Sequence, residues 1–105
     1  MRLTKISQTG VGTTATFPVN WRGGSGGFSI GLGAVVSGTA TYTVEHCYDD
    51  VLGGETPTWF SHPVLVGQTD NKDSSYTTPI TALRINVTAG TGTVTLSIVP
   101  AETSV

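Results

Sequence analysis

Short runs in which apolar and polar residues alternate one by one constrain this chain more than any other feature. In Leu83-Arg84-Ile85-Asn86-Val87-Thr88, the residues Leu83, Ile85 and Val87 share one face, and Arg84, Asn86 and Thr88 share the other. Thr93 to Ile98 repeats the pattern, with Val94, Leu96 and Ile98 on the apolar side. A repeat of two is the mark of a strand with one buried face. Between the runs lies Ala89-Gly90-Thr91-Gly92, whose glycines tolerate positive φ. The pair reads as an antiparallel hairpin.

The middle of the chain reads the same way. Phe28, Ile30, Leu32, Ala34 and Val36 alternate with Ser29, Gly31, Gly33 and Val35. After Ser37-Gly38, the residues Ala40, Tyr42, Val44 and His46 alternate with Thr41, Thr43, Glu45 and Cys47, a second hairpin. Gly31 and Gly33 leave a shallow groove on one face of the first strand. Leu3 to Gln8 and Thr13 to Phe17 read as weaker strands, and Arg22 to Gly27 as a flexible loop. These glycines lead into a strand and not a helix, which argues against a phosphate-cradling loop. Trp59-Phe60 and Val64-Leu65-Val66 read as short strands, and Gly67 to Ser75 as a polar loop. Threonine, roughly a fifth of the chain, favours strands, and helix-forming residues are few. The expectation is one all-β domain over residues 1–105: an antiparallel β-sandwich of seven or eight strands, with the jelly roll among its topologies.

Only 11% of the 105 residues are charged, against about 25% in ordinary soluble domains. Arg2, Lys5, Arg22, Lys72 and Arg84 are scattered, which argues against nucleic-acid binding. A weakly charged surface offers little repulsion between copies and suits a protein that lies against other protein. Cys47 is the single cysteine, so neither an internal disulfide nor a cysteine zinc site is expected. Met1-Arg2-Leu3-Thr4-Lys5 has no signal-like apolar segment, and no run approaches the length of a membrane span. Cytoplasmic folding without a membrane partner is the expectation.

His46, Asp49, Asp50, Glu55 and His62 are the candidates for chemistry. They lack the spacing of a calcium loop, and strand geometry turns His46 inward and Glu45 outward. Asp49 and Asp50 read instead as turn caps that bond backbone N–H groups. No G-x-S-x-G elbow supports a serine nucleophile. No catalytic residue, metal or cofactor is therefore expected. Trp21, Tyr48, Trp59, Phe60 and Tyr76 fall in or beside loops, where they either close the sandwich ends or form contacts. Trp21, Arg22, Trp59, Phe60 and Arg84 are the candidate interface residues, with Arg84 placed to pair with Glu45 or Asp50.

The stretches FSIGLGAVVSGTATYTVEHCYDDV, TWFSH and ITALRINVTAGTGTVTLSIV cover most of residues 28 to 100. Together they resemble a family of small virion proteins of tailed bacteriophages. The specific parts are TYTVEH with the following YDD, Trp59-Phe60 with His62, and Leu83 to Val87. The resemblance implies a structural role without catalysis, as a capsid decoration or cement protein. The implied partners are the major capsid protein and further copies of itself, as a dimer or trimer. The location would be the virion surface, after assembly in the host cytoplasm. The alternative is a head- or tail-fibre module that recognises a host-surface glycan.

Overall fold

The computed structural model describes residues 3–19 and 29–100. Alternation becomes burial as the sequence dictates. Leu83, Ile85 and Val87 are fully buried, as are Val94, Leu96 and Ile98, while Arg84, Asn86, Thr95 and Ser97 between them are not. Nine strands and no helix occur among the described residues: β1 (Thr4–Thr9), β2 (Gly12–Thr13), β3 (Phe17–Pro18), β4 (Ile30–Ser37), β5 (Ala40–Cys47), β6 (Phe60–Ser61), β7 (Lys72–Tyr76), β8 (Ala82–Gly90) and β9 (Thr93–Pro100). One sheet has the order β1-β9-β4-β7 and the other β2-β8-β5-β6, with every pairing antiparallel. The strand β3 lies along β8 beyond β2. Thr14 spans the break between them: its N–H donates to Ile85 O (3.0 Å) and its hydroxyl accepts from Ile85 N–H (3.1 Å). Nine strands thus fill eight positions, and the fold is the expected antiparallel sandwich.

The two sheet orders match position by position. Each strand of the first sheet has its chain neighbour at the same place in the second: β1 with β2, β9 with β8, β4 with β5, β7 with β6. This is the jelly-roll order. It also corrects the sequence reading, because neither expected hairpin exists. The strands β4 and β5 lie in opposite sheets, as do β8 and β9. Each pair is an arch that crosses the core. The physical reason is that alternation records one buried face per strand. It does not tell whether the next strand lies beside that face or across from it.

The arches hydrogen-bond to one another at one end of the sandwich. Gly10 N–H donates to Gly92 O (3.0 Å) and Gly92 N–H to Thr39 O (2.8 Å). Gly90 there has φ +94°, and a Cβ on it would run into the Thr39 carbonyl. A Cβ on Gly92 would lie 2.5 Å from Ser37 O. Here glycine is required for the turns to touch.

Two further readings are corrected. The second half of the expected polar loop, from Lys72 to Ser75, forms with Tyr76 the edge strand β7, paired with β4 from Ile30↔Tyr76 to Ala34↔Lys72. Its polar side chains suit an edge, where charge and hydroxyls meet water. Val64 to Val66 is not a strand: Leu65 is buried, whereas Val64 and Val66 are exposed. Cys47, at the end of β5, is fully buried. The expected loop from Arg22 to Gly27 lies outside the described residues.

Candidate functional site

The open side of the sandwich, between the edge strands β6 and β7, gathers two histidines and three aromatic rings. His46 arrives there because it is the last inward-facing residue of β5, after Tyr42 and Val44. Tyr76 arrives from the opposite sheet as the last residue of β7. Its phenol oxygen is 2.8 Å from His46 Nδ1, and the rings meet edge to face at 4.9 Å. Tyr48 Oη lies 3.3 Å from His46 Nε2. Phe60 stacks along the His46 ring at 6.0 Å and touches Tyr48 at 5.6 Å. Burial pushes the His46 pKa below its ordinary value, and the electrostatic influence of His62 adds to the shift. Burial also pushes the Tyr76 phenol far above its usual range, with Tyr48 and Glu45 adding to the shift. At neutral pH the pair is therefore a neutral imidazole and an intact phenol sharing one hydrogen bond.

His62 is placed by the path of the backbone. Its N–H donates to Val44 O (2.8 Å), the chain leaves β5 over Pro63 and Val64, and Leu65 O accepts from Val44 N–H (2.8 Å). The side chain closes this detour. His62 Nδ1 accepts from the N–H groups of Val64 (3.0 Å) and Leu65 (3.1 Å). With Nδ1 an acceptor, the ring proton sits on Nε2, which donates to Ser75 O of β7 at 2.9 Å. The imidazole thus shapes a turn in one sheet and ties it to the edge of the other. Tyr76 packs edge to face on the same ring at 4.7 Å.

Beside this cluster lies a cleft of about 640 Å³. Its walls include His46, Tyr48, Phe60 and Tyr76, its rim the hydroxyl residues Ser61, Ser74, Thr77 and Thr78, and among the described residues no Asp, Glu, Lys or Arg lines it. Tyr48 and Phe60 are half exposed, at 54% and 49%, whereas Tyr76 is buried.

The residues singled out from sequence fall in three places. Trp21 and Arg22 lie outside the described residues. Phe60 faces the cleft. Trp59, its chain neighbour, joins Arg84: the guanidinium carbon is 4.3 Å from the centre of the indole. Arg84 also meets Glu45, one of the two carboxylates expected for it, with Nε 2.7 Å from Oε1. The structure therefore joins Trp59 to Arg84 and separates both from Phe60.

The acidic loop does what its turn chemistry implies. Asp50 Oδ1 accepts from Gly53 N–H (3.0 Å), Asp49 Oδ2 from Thr58 N–H (2.7 Å), and Glu55 Oε1 from Asp50 N–H (2.6 Å). Among the described residues no group of three His, Cys, Asp or Glu is arranged to hold a metal ion. No helix of the described residues is long and apolar enough to cross a membrane.

Sequence reasoning missed the partnership of His46, Tyr76 and His62. These three residues come from separate segments, and β7 was not read as a strand. The one available cue was that each histidine has an aromatic residue two positions away, Tyr48 and Phe60.

Comparison of the chain with protein-family models, curated proteins and solved structures finds no match.

Proposed function

We propose that this protein is a non-catalytic structural module that docks on other protein, specifically a phage capsid decoration protein that clamps the major capsid lattice. The observation that carries the docking reading is the outer face of the β1-β9-β4-β7 sheet. Its cross-strand rows are Thr9–Thr93–Ser37, Ser7–Thr95–Val35, Lys5–Ser97–Gly33–Asp73 and Val99–Gly31–Ser75. Charge occurs only at the margins of these rows, at Lys5 and Asp73. The middle is hydroxyl, glycine and two half-exposed valines, Val35 and Val99. Several hydroxyls already bond each other, Ser7 to Thr95 at 3.0 Å and Thr9 to Thr93 at 2.8 Å. Hydroxyls satisfied in this way lose less when a partner displaces water. A Cβ on Gly33 would meet no atom within 4 Å, so no described residue fills the trough there.

The face measures roughly 15 by 23 Å from strand spacing and rise. That is less than the ~800 Å² per partner of a standard interface. One contact is then weak, and a dimer or trimer bound to a repeated lattice gains by multivalency. The specific setting on a capsid rests on the resemblance of residues 28–100 to phage virion proteins. A non-catalytic role accords with the side chains: both histidines and the acidic loop are engaged in hydrogen bonds that shape the fold.

The test is the protein composition of phage particles that carry this chain. A fixed, high ratio to the major capsid protein supports decoration. About a dozen copies or fewer, the number expected of a tail ring or fibre set, overturns it. Val35→Asp, on the docking face, should still fold but fail to join the particle.

A further inference from the structure

We infer that the cleft between β6 and β7 is a binding site for a neutral saccharide, with a pyranose ring laid on Phe60 and Tyr48. This goes beyond the docking role and uses a different face of the molecule. Three observations select the ligand class.

The first is the pair of half-exposed rings. Phe60 and Tyr48 touch at 5.6 Å and are both backed by His46, at 6.0 and 5.3 Å, so their orientation is fixed. His46 is held in turn by Tyr76. A rigid aromatic surface open to water fits the C–H face of a sugar, which is apolar above the ring and hydroxylated around it.

The second is the rim. Ser61, Ser74, Thr77 and Thr78 line the cleft, and none of their hydroxyls bonds another described residue. They are available donors and acceptors. Among the described residues no charged side chain lines the cleft, so an anionic or cationic ligand would find no counter-charge there and would be desolvated without compensation.

The third separates a sugar from an extended peptide. A peptide strand added at the edge of β7 would use its outward backbone groups. The outward carbonyl of Ser75 is already taken by His62 Nε2–H at 2.9 Å. That side chain stands where an added strand would pair. The volume of about 640 Å³ lies within the range of small-molecule sites.

The experiment titrates the full chain, labelled with ¹⁵N, with methyl glycosides of glucose, galactose, mannose and N-acetylglucosamine and with disaccharides of each. Sialyllactose and an end-blocked Ser/Thr-rich peptide are run as the charged and peptide arms. A neutral saccharide should saturably shift amide signals of residues 46–48, 60–62 and 74–78. Phe60→Ala and Tyr48→Ala should each weaken that binding roughly three- to tenfold. Phe60→Tyr should retain it, and Leu52→Ala, on an exposed loop, should leave it unchanged. Melting curves check that each variant is folded, which their half-exposed positions favour. The inference is overturned if no neutral saccharide shifts the cleft signals. It is also overturned if binding survives both alanine substitutions, or if only the peptide or sialyllactose binds. None of these outcomes bears on particle composition, so docking and sugar binding stand or fall separately.

Discussion

The phenol oxygen of Tyr76 and the Nδ1 of His46, 2.8 Å apart, join strands that belong to opposite sheets. Among the described residues no backbone hydrogen bond joins the two sheets along this open side. Side chains must close it, and here they do so through polar groups placed among aromatic rings. Removing the phenol by Tyr76→Phe leaves a buried imidazole nitrogen without its partner. Loss of one partner of a buried pair costs about 1–3 kcal/mol. Urea unfolding should show a loss in that range with unchanged slope, and a melting point lower by about 4–8 °C per kcal/mol. His46→Phe combined with Tyr76→Phe should be less destabilised than the two single losses added, since neither partner is then left unpaired.

His46 also makes stability depend on pH. Its ordinary pKa is 6.5, and burial, with the electrostatic influence of His62, holds it lower in the folded chain. Tyr76 faces it, and burial keeps that phenol protonated near neutrality. As pH falls through about 6.5, His46 of the unfolded chain takes up a proton while the folded chain remains neutral there. The unfolded state then binds more protons, and stability falls with falling pH. The loss begins near pH 6.5 and levels off below the folded pKa. Urea midpoints measured from pH 8 to pH 5 should decline across that window. In His46→Phe the decline should be smaller.

The arch glycines and the face glycines should respond oppositely to alanine. At Gly90 the backbone is at φ +94° and a Cβ would run into the Thr39 carbonyl. At Gly92 the new Cβ would lie 2.5 Å from Ser37 O and 2.8 Å from Thr39 N. Both obstacles are backbone and cannot swing aside. Gly90→Ala and Gly92→Ala should each cost more than about 2 kcal/mol, or abolish soluble expression. Gly33 has open space above it and no positive φ. Gly33→Ala should be neutral or stabilising by up to about 1 kcal/mol, through the reduced freedom of the unfolded chain. Thermal melts of the three variants side by side check the contrast.

How much of this was legible in the sequence differs between the core and the cleft. The inward set Leu83, Ile85, Val87, Val94, Leu96 and Ile98 followed from alternation alone, because each strand has one buried face. The partner of each strand did not follow. Gly90 and Gly92 serve a hairpin and an arch equally well on paper. Only the contact with Ser37 and Thr39, half a chain away, decides for the arch. The strand at Lys72–Tyr76 was hidden for a related reason. Its hydroxyls and charges signal a loop, and its strand character comes from pairing with β4. The cleft inherits that blindness, since Tyr76 and Ser75 reach the histidines only once β7 is an edge. By contrast, Arg84 and Glu45 occupy outward positions on strands that the pattern did define, and their pairing was one of the two that the sequence offered.

That pairing is one side of a three-part contact whose other side is Trp59, and salt separates the two. Arg84 lies with Nε 2.7 Å from Glu45 and its guanidinium carbon 4.3 Å from the indole centre. The side chains of Arg84 and Glu45 are 23% and 14% exposed, so solvent screens the ion pair in part. Its share should be about 0–1 kcal/mol. The stacking on Trp59 should add about 0.5–1 kcal/mol. Arg84→Lys keeps the charge and gives up the planar stack. It should therefore lose coupling to Trp59 and retain most of its coupling to Glu45. In double-mutant cycles, the Arg84–Glu45 coupling should shrink between low salt and about 1 M salt, where screening reaches contact distance. The Arg84–Trp59 coupling, carried by a face-on contact that excludes water, should change less. Equal salt sensitivity of the two couplings would show that the contact with the indole is as open to screening as the ion pair, and that it does not exclude water.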